Sequence, residues 1–157
     1  MPLTSEVVRA NRTRISFAMS QFTVPLLART YHAFGGDMVA ALIMGEIAHR
    51  NVEHWLADES NSPAPLEDPA VRLSMMRPCN ALSIADACGL PRETVRRKVN
   101  WLIERTYVKR SDDGHLYLTV NAGDDFDEMT AQNVQAVLDT ADRLRRILAQ
   151  TPTASCA

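Results

Sequence analysis

The tripeptide Gly89-Leu90-Pro91 does the most to limit what this chain can become. Glycine adopts a left-handed conformation without a side-chain clash, so it ends helices. Proline has no N–H to lose in a first helical turn, so it begins them. A short helix over "LSIADACGL", capped by Ser83, is therefore predicted to stop at Gly89, and a second to start at Pro91. In that second helix, 92–105, Val95, Val99, Leu102 and Ile103 recur at helical spacing and cover one side. Glu93, Arg97, Asn100 and Glu104 fall opposite, with Arg92 and Arg96 at the margin. One face is to be buried and a largely basic face turned to solvent.

The next residues change period. "YVKR" and "HLYLTV" alternate apolar and polar residues, as strands do, and "SDDG" between them is a good hairpin turn ending in Asp-Gly. The predicted unit is a short helix, a tight turn, a basic helix and a β-hairpin. Its charge contrasts with the rest. The chain carries a net charge of −2, yet residues 83–111 hold seven bases against three acids. A local basic face on a near-neutral chain points to a polyanionic partner more than the global charge does.

The residues Ile84-Ala85, Gly89-Leu90, Thr94-Val95, Arg97, Val99, Leu102, Glu104-Arg105 and Tyr107-Val108 resemble the winged helix-turn-helix transcriptional regulators of bacteria. The resemblance covers about residues 81–120. It implies a mostly α fold with a small β-hairpin, a winged helix-turn-helix with additional N- and C-terminal helices. It also implies sequence-specific binding of double-stranded DNA, with helix 92–105 in the major groove and wing 107–120 on the adjacent groove or the backbone. Arg92, Arg96, Arg97 and Asn100 then become candidates for base contacts, since Arg matches guanine and Asn matches adenine. Glu93 is a candidate acceptor for cytosine N4, or an orienting partner for a neighbouring Arg. Thr94, Lys98, Lys109, Arg110 and His115 are candidate phosphate contacts. One departure stands out: Thr106 occupies a position where the family usually has glycine. If that site needs positive φ, a β-branched residue there is strained, so the turn before the wing is expected to differ. Some winged-helix modules bind protein or RNA instead, and a protein–protein interaction module is the alternative reading.

Around this unit, 77–121, the chain is predicted to be helical. Residues 1–60 supply N-terminal helices after a ragged polar start of about 14 residues. One, 15–34, is interrupted by Pro25, giving a kink or two shorter helices. The other, 38–56, is capped by Asp37, carries Val39, Leu42, Ile43 and Ile47 at helical spacing, and reads as the first helix of the winged module. Residues 61–76 form a linker rich in Ser, Pro and acids, with a short helical segment around Val71–Met76. "NAGDDFDE" is an acidic loop. A C-terminal amphipathic helix, 130–150, places Val134, Val137, Leu138, Ala141, Leu144 and Leu148 on one stripe. Such stripes need partners, and a homodimer is expected because two recognition helices then meet a palindromic site.

Other chemistry is weakly represented. Glu46 and His49 have Glu-x-x-His spacing, with Glu53 and His54 nearby, but no second such motif completes a metal site, so a solvated helix face is the reading. Cys79, Cys88 and Cys156 fit no redox or metal spacing, and Cys88 reads as core filling. Trp101 lies off its helix's apolar centre and is expected to pack on another segment. No phosphate loop, nucleophile elbow or Cys/His system is present, so neither an enzyme nor a cofactor is expected. No apolar run is long enough to cross a bilayer, and the N-terminus lacks the apolar core of a signal peptide, so a cytoplasmic location without membrane association is expected.

Overall fold

The tight turn at Gly89 organises the structure, a computed structural model that describes residues 4–57 and 74–150. Most of the linker, and Cys156, lie outside the described residues. In chain order the elements are α1 (Ser5–Ala10), α2 (Arg12–Ala33), α3 (Met38–Leu56), α4 (Ala81–Cys88), α5 (Arg92–Glu104), β1 (Val108–Arg110), β2 (Leu116–Leu118) and α6 (Val120–Ala149). The protein is mostly helical with one small antiparallel sheet. No helix among the described residues is long and apolar enough to cross a membrane. The chain divides into two compact units, residues 33–126 and residues 1–32 with 127–157.

In the 33–126 unit, Gly89 ends α4 at φ 62° and Pro91 stands just before α5 as its N-cap. The start of α4 differs from expectation. Asn80, not Ser83, is the N-cap. Its side chain accepts from the Ser83 amide at 2.9 Å, and the Ser83 hydroxyl accepts from the Asn80 amide at 3.3 Å. This reciprocal box satisfies two orphan donors where a lone serine satisfies one.

Asp37 caps α3, accepting from the Ala40 amide at 3.0 Å. Ala40, Ile43, Ile47 and Asn51 are buried at spacings of three and four, one face of the helix. Leu42 is 52% exposed, one residue off that face, so it does not belong to the core stripe. Against this face pack α4, α5 and β2, supplying buried Ile84, Val95, Val99, Leu102 and Leu116. The hairpin pairs Val108 with Leu118 and Arg110 with Leu116. Its outer strand pairing was not foreseen: Cys79 bridges Leu116, whose amide donates to the Cys79 carbonyl at 2.8 Å.

Asn51 joins these parts. It is 1% exposed. Its Nδ2 donates to the carbonyls of Arg77 at 2.9 Å and Leu116 at 3.2 Å, and its Oδ1 accepts from the Leu118 amide at 2.8 Å. A polar group so buried is stable only when its hydrogen-bonding capacity is used, as here.

Thr106 keeps the backbone that glycine usually supplies. Its φ is 61°, and it is the one non-glycine residue with positive φ among the described residues. The turn does not differ as expected. The Tyr107 amide donates to the Leu102 carbonyl at 3.0 Å and the Thr106 amide to the Ile103 carbonyl at 2.9 Å. These are the two bonds of a Schellman cap. Thr106 bears the steric cost of a β-branched side chain in this conformation. Thr106→Gly is expected to raise stability by about 0.5 kcal/mol, after the greater entropy of unfolded glycine and the loss of the exposed bond from Asn121 Nδ2 to the Thr106 hydroxyl are set against the relief of strain. A urea midpoint that stays put or falls would contradict this.

The expected acidic loop "NAGDDFDE" is helical instead, forming the first turns of α6. Burial accounts for this. Ala122 and Phe126, four residues apart, are buried in the 33–126 unit, where Phe126 stacks on Phe34 at 5.1 Å and lies 5.4 Å from Tyr107. Burial, and then a hydrogen bond to Asp125, holds the Tyr107 hydroxyl above its ordinary pKa.

The other unit contains α1, most of α2 and residues 127–149 of α6. The ragged start expected before residue 15 is α1 and the opening of α2. Thr4 caps α1 by accepting from the Val7 amide at 3.4 Å. Pro25 lies within α2 without dividing it. It is exposed, so the carbonyl that it leaves without a helical donor can meet water. Arg14 donates to Gln150 at 2.7 Å and Arg29 to Asn133 at 2.8 Å, so α2 and α6 run antiparallel here.

Candidate nucleic-acid interface

Helix α5 separates its two faces sharply. Val95, Val99 and Leu102 are fully buried, while Arg92, Glu93, Arg96 and Arg97 are exposed on the other side. Its first turn is electrostatically mixed. The helix dipole favours Glu93 there and disfavours Arg92, so helix stability alone does not account for Arg92. Arg96 donates to both carboxylate oxygens of Glu93, at 2.9 and 2.7 Å. That bond lowers the Glu93 pKa and raises that of Arg96. The Glu93–Arg96 pair is the orienting arrangement foreseen as one role for Glu93. Arg92 and Arg97 have no hydrogen bond or ion pair among the described residues.

The hairpin extends the same surface. Arg110 donates through Nη2 to the Oδ1 of Asn100 at 3.1 Å, tying β1 to α5. Asn100 is half-buried, while Lys109 and Arg110 are exposed. Arg92, Arg96, Arg97, Asn100, Lys109 and Arg110 are therefore presented by one helix and the strand bonded to it. Thr94 is half-buried near the start of α5.

Two candidates sit differently. Lys98 points away from the exposed face: it is an ion partner of Asp37, both only about one-fifth exposed. Burial acts most strongly on Asp37, pushing its pKa up. The bonds from Lys98 and the Ala40 amide, with the Lys98 charge, outweigh it and leave the pKa below the ordinary value. Lys98 thus links the middle of α5 to the start of α3 and is poorly placed to hold a phosphate. His115 is engaged at the hairpin tip, its Nδ1 2.8 Å from Asp113 Oδ2. Bonds from Ser111 and then from His115 lower the Asp113 pKa. An anionic neighbour makes His115 a weaker candidate for a phosphate than Lys109 or Arg110.

Other polar groups singled out in the sequence have local partners. Arg105 stacks on Trp101, its guanidinium carbon 4.2 Å from the ring centroid, so Trp101 is covered from the next turn of its own helix. Glu46 accepts from Arg50 at 2.7 Å, and His49 lies 3.6 Å from Glu53. No group of three or more metal-ligating side chains is clustered among the described residues. Burial raises the Cys79 thiol to about 11, so it stays protonated at neutral pH. Cys79 is buried and Cys88 only partly so, which makes Cys79 the deeper core residue.

No known protein family, curated protein or solved structure matches the chain.

Proposed function

We propose that the chain is a winged helix-turn-helix protein that binds double-stranded DNA and regulates transcription. Helix α5 is the element for the major groove, and the β1–β2 hairpin is the wing, set against the adjacent groove or the backbone. One observation carries this reading. Opposite a fully buried apolar stripe, α5 turns Arg92, Arg96 and Arg97 to solvent, and the Arg110–Asn100 bond joins one cation of the hairpin to that face. A helix with an exposed basic face can enter a groove about 12 Å wide, and flanking cations can then meet phosphates. Lys98 is assigned a structural role, and the base-reading candidates are Arg92, Arg97 and Asn100, with Arg96 held by Glu93.

A fluorescently labelled duplex, titrated by anisotropy across a salt series, tests this. If Arg92, Arg97, Lys109 and Arg110 each neutralise a phosphate or lie close to one, log affinity should fall against log salt with a slope of about −3 to −4 per chain. Arg96→Ala/Arg97→Ala should bind far more weakly while remaining folded. Absence of duplex binding even at low salt would defeat the proposal and favour an acidic protein surface as the partner of the same face.

A further inference from the structure

We infer that residues 127–145 of α6 form a self-complementary seam with a second copy of this chain, running antiparallel about a twofold axis near Ala136. The inference does not depend on the duplex reading.

Only the later part of the stripe that sequence periodicity marks as apolar is covered: Ala141, Leu144 and Leu148 are half-buried. The gap between α2 and α6 is lined on the α6 side by Ala136, Asp139, Thr140 and Arg143, and Asn133 bonds Arg29. Val134, Val137 and Leu138 are left 54%, 48% and 56% exposed. Single exposed aliphatics are ordinary, but three on adjoining turns of one helix form a patch. The unit is also short of a core: among its described residues only Ala18 and Ile147 are buried apolar side chains. A helix pair with so little buried between its members calls for another surface.

Charge selects the partner. Within α6, Asp124, Asp125, Asp127, Glu128, Asp139 and Asp142 all precede Arg143, Arg145 and Arg146. Asp127 and Arg145 are about five full turns apart, so they lie on the same line of the helix, with Val134 and Leu138 between them. An antiparallel copy centred near Ala136 sets Val134 against the partner's Leu138 and Asp127 against the partner's Arg145. Twofold symmetry repeats both pairings. A parallel copy sets Asp127 against Asp127 and Arg145 against Arg145, which repel. An unrelated partner has no reason to match a helix whose acidic and basic ends are complementary to each other. In the single chain Arg145 bonds Asp142 at 2.6 Å, an exposed pair that can be exchanged at small cost.

Analytical ultracentrifugation of the full chain tests this. The native protein is expected at twice its chain mass of 17.5 kDa in the micromolar range. Asp127→Arg and Arg145→Asp should each weaken the dimer about tenfold, since one substitution turns two attractions into repulsions. The double exchange Asp127→Arg/Arg145→Asp should recover to within about threefold of native, because the pairs are restored with reversed sign. That recovery is a readout a general loss of folding cannot produce. A native monomer at tens of micromolar overturns the inference. So does a dimer indifferent to the single exchanges, or a double exchange no better than the singles.

Discussion

Asn51→Leu is expected to destabilise the 33–126 unit by roughly 3–5 kcal/mol, the largest effect of any single substitution proposed. Leucine has the same branched four-heavy-atom side chain but is bulkier, so the site stays filled and some crowding adds to the cost. What is lost is the pairing of three backbone groups, the buried Leu116 carbonyl and the part-buried Arg77 carbonyl and Leu118 amide. Each unmade bond to a buried group costs about 1–3 kcal/mol, and leucine returns only part of this through its own burial. Domains of this size are stable by about 5–15 kcal/mol in all, so much of the margin goes. Urea unfolding followed by circular dichroism measures it, with Leu42→Asn, at an exposed position of the same helix, as the control. A loss below about 1 kcal/mol would show that water or a shifted hairpin replaces those bonds.

Asn51 also shows where sequence reading stops. The pattern of α3 is legible: Asp37 caps it, and Ile43 and Ile47 define its inner face. Asn51 continues that face four residues after Ile47, and its spacing was the available signal. A polar residue there reads as the end of the buried stripe, because its partners, at residues 77, 116 and 118, are far along the chain. The turn at Gly89, the buried side of α5 and the hairpin are local consequences of glycine, proline and periodicity, and they were legible. The start of α6 was not. Four acids suggest a loop, but Phe126 finds Phe34 and Tyr107 and helix formation wins. The apolar stripe of α6 was visible without its direction. Periodicity tells which side chains share a face, and packing decides which face the same chain covers. Lys98 is the corresponding lesson at the candidate site. Its spacing places it among basic neighbours, but Asp37 draws it inward.

Arg97→Ala is expected to weaken duplex binding by about 1–3 kcal/mol, roughly five- to 150-fold, and Arg96→Ala by distinctly less. The sequence treats the two alike, as adjacent arginines on one helix. The structure separates them. Arg97 is exposed, with no hydrogen bond or ion pair among the described residues, whereas Arg96 is bound to both oxygens of Glu93. The pair is exposed, so opening it costs little, but the Glu93 carboxylate stays beside Arg96 and offsets part of what its charge gains from a phosphate or a guanine. The same reasoning gives Glu93→Gln the opposite sign. Losing the carboxylate removes a charge that repels the phosphate backbone and releases Arg96, so affinity for any duplex should rise. If Arg96 then reaches a phosphate, the salt slope steepens by about 0.9. Preference among sequences separates the two roles of Glu93. If it only holds Arg96, Glu93→Gln strengthens binding to all duplexes in similar proportion. If it accepts from a cytosine, the gain is smallest on the preferred site and discrimination narrows. Equal losses for Arg96→Ala and Arg97→Ala, with no gain in Glu93→Gln, would mean that the Glu93–Arg96 pair opens freely on DNA and that α5 reads as a uniformly basic helix.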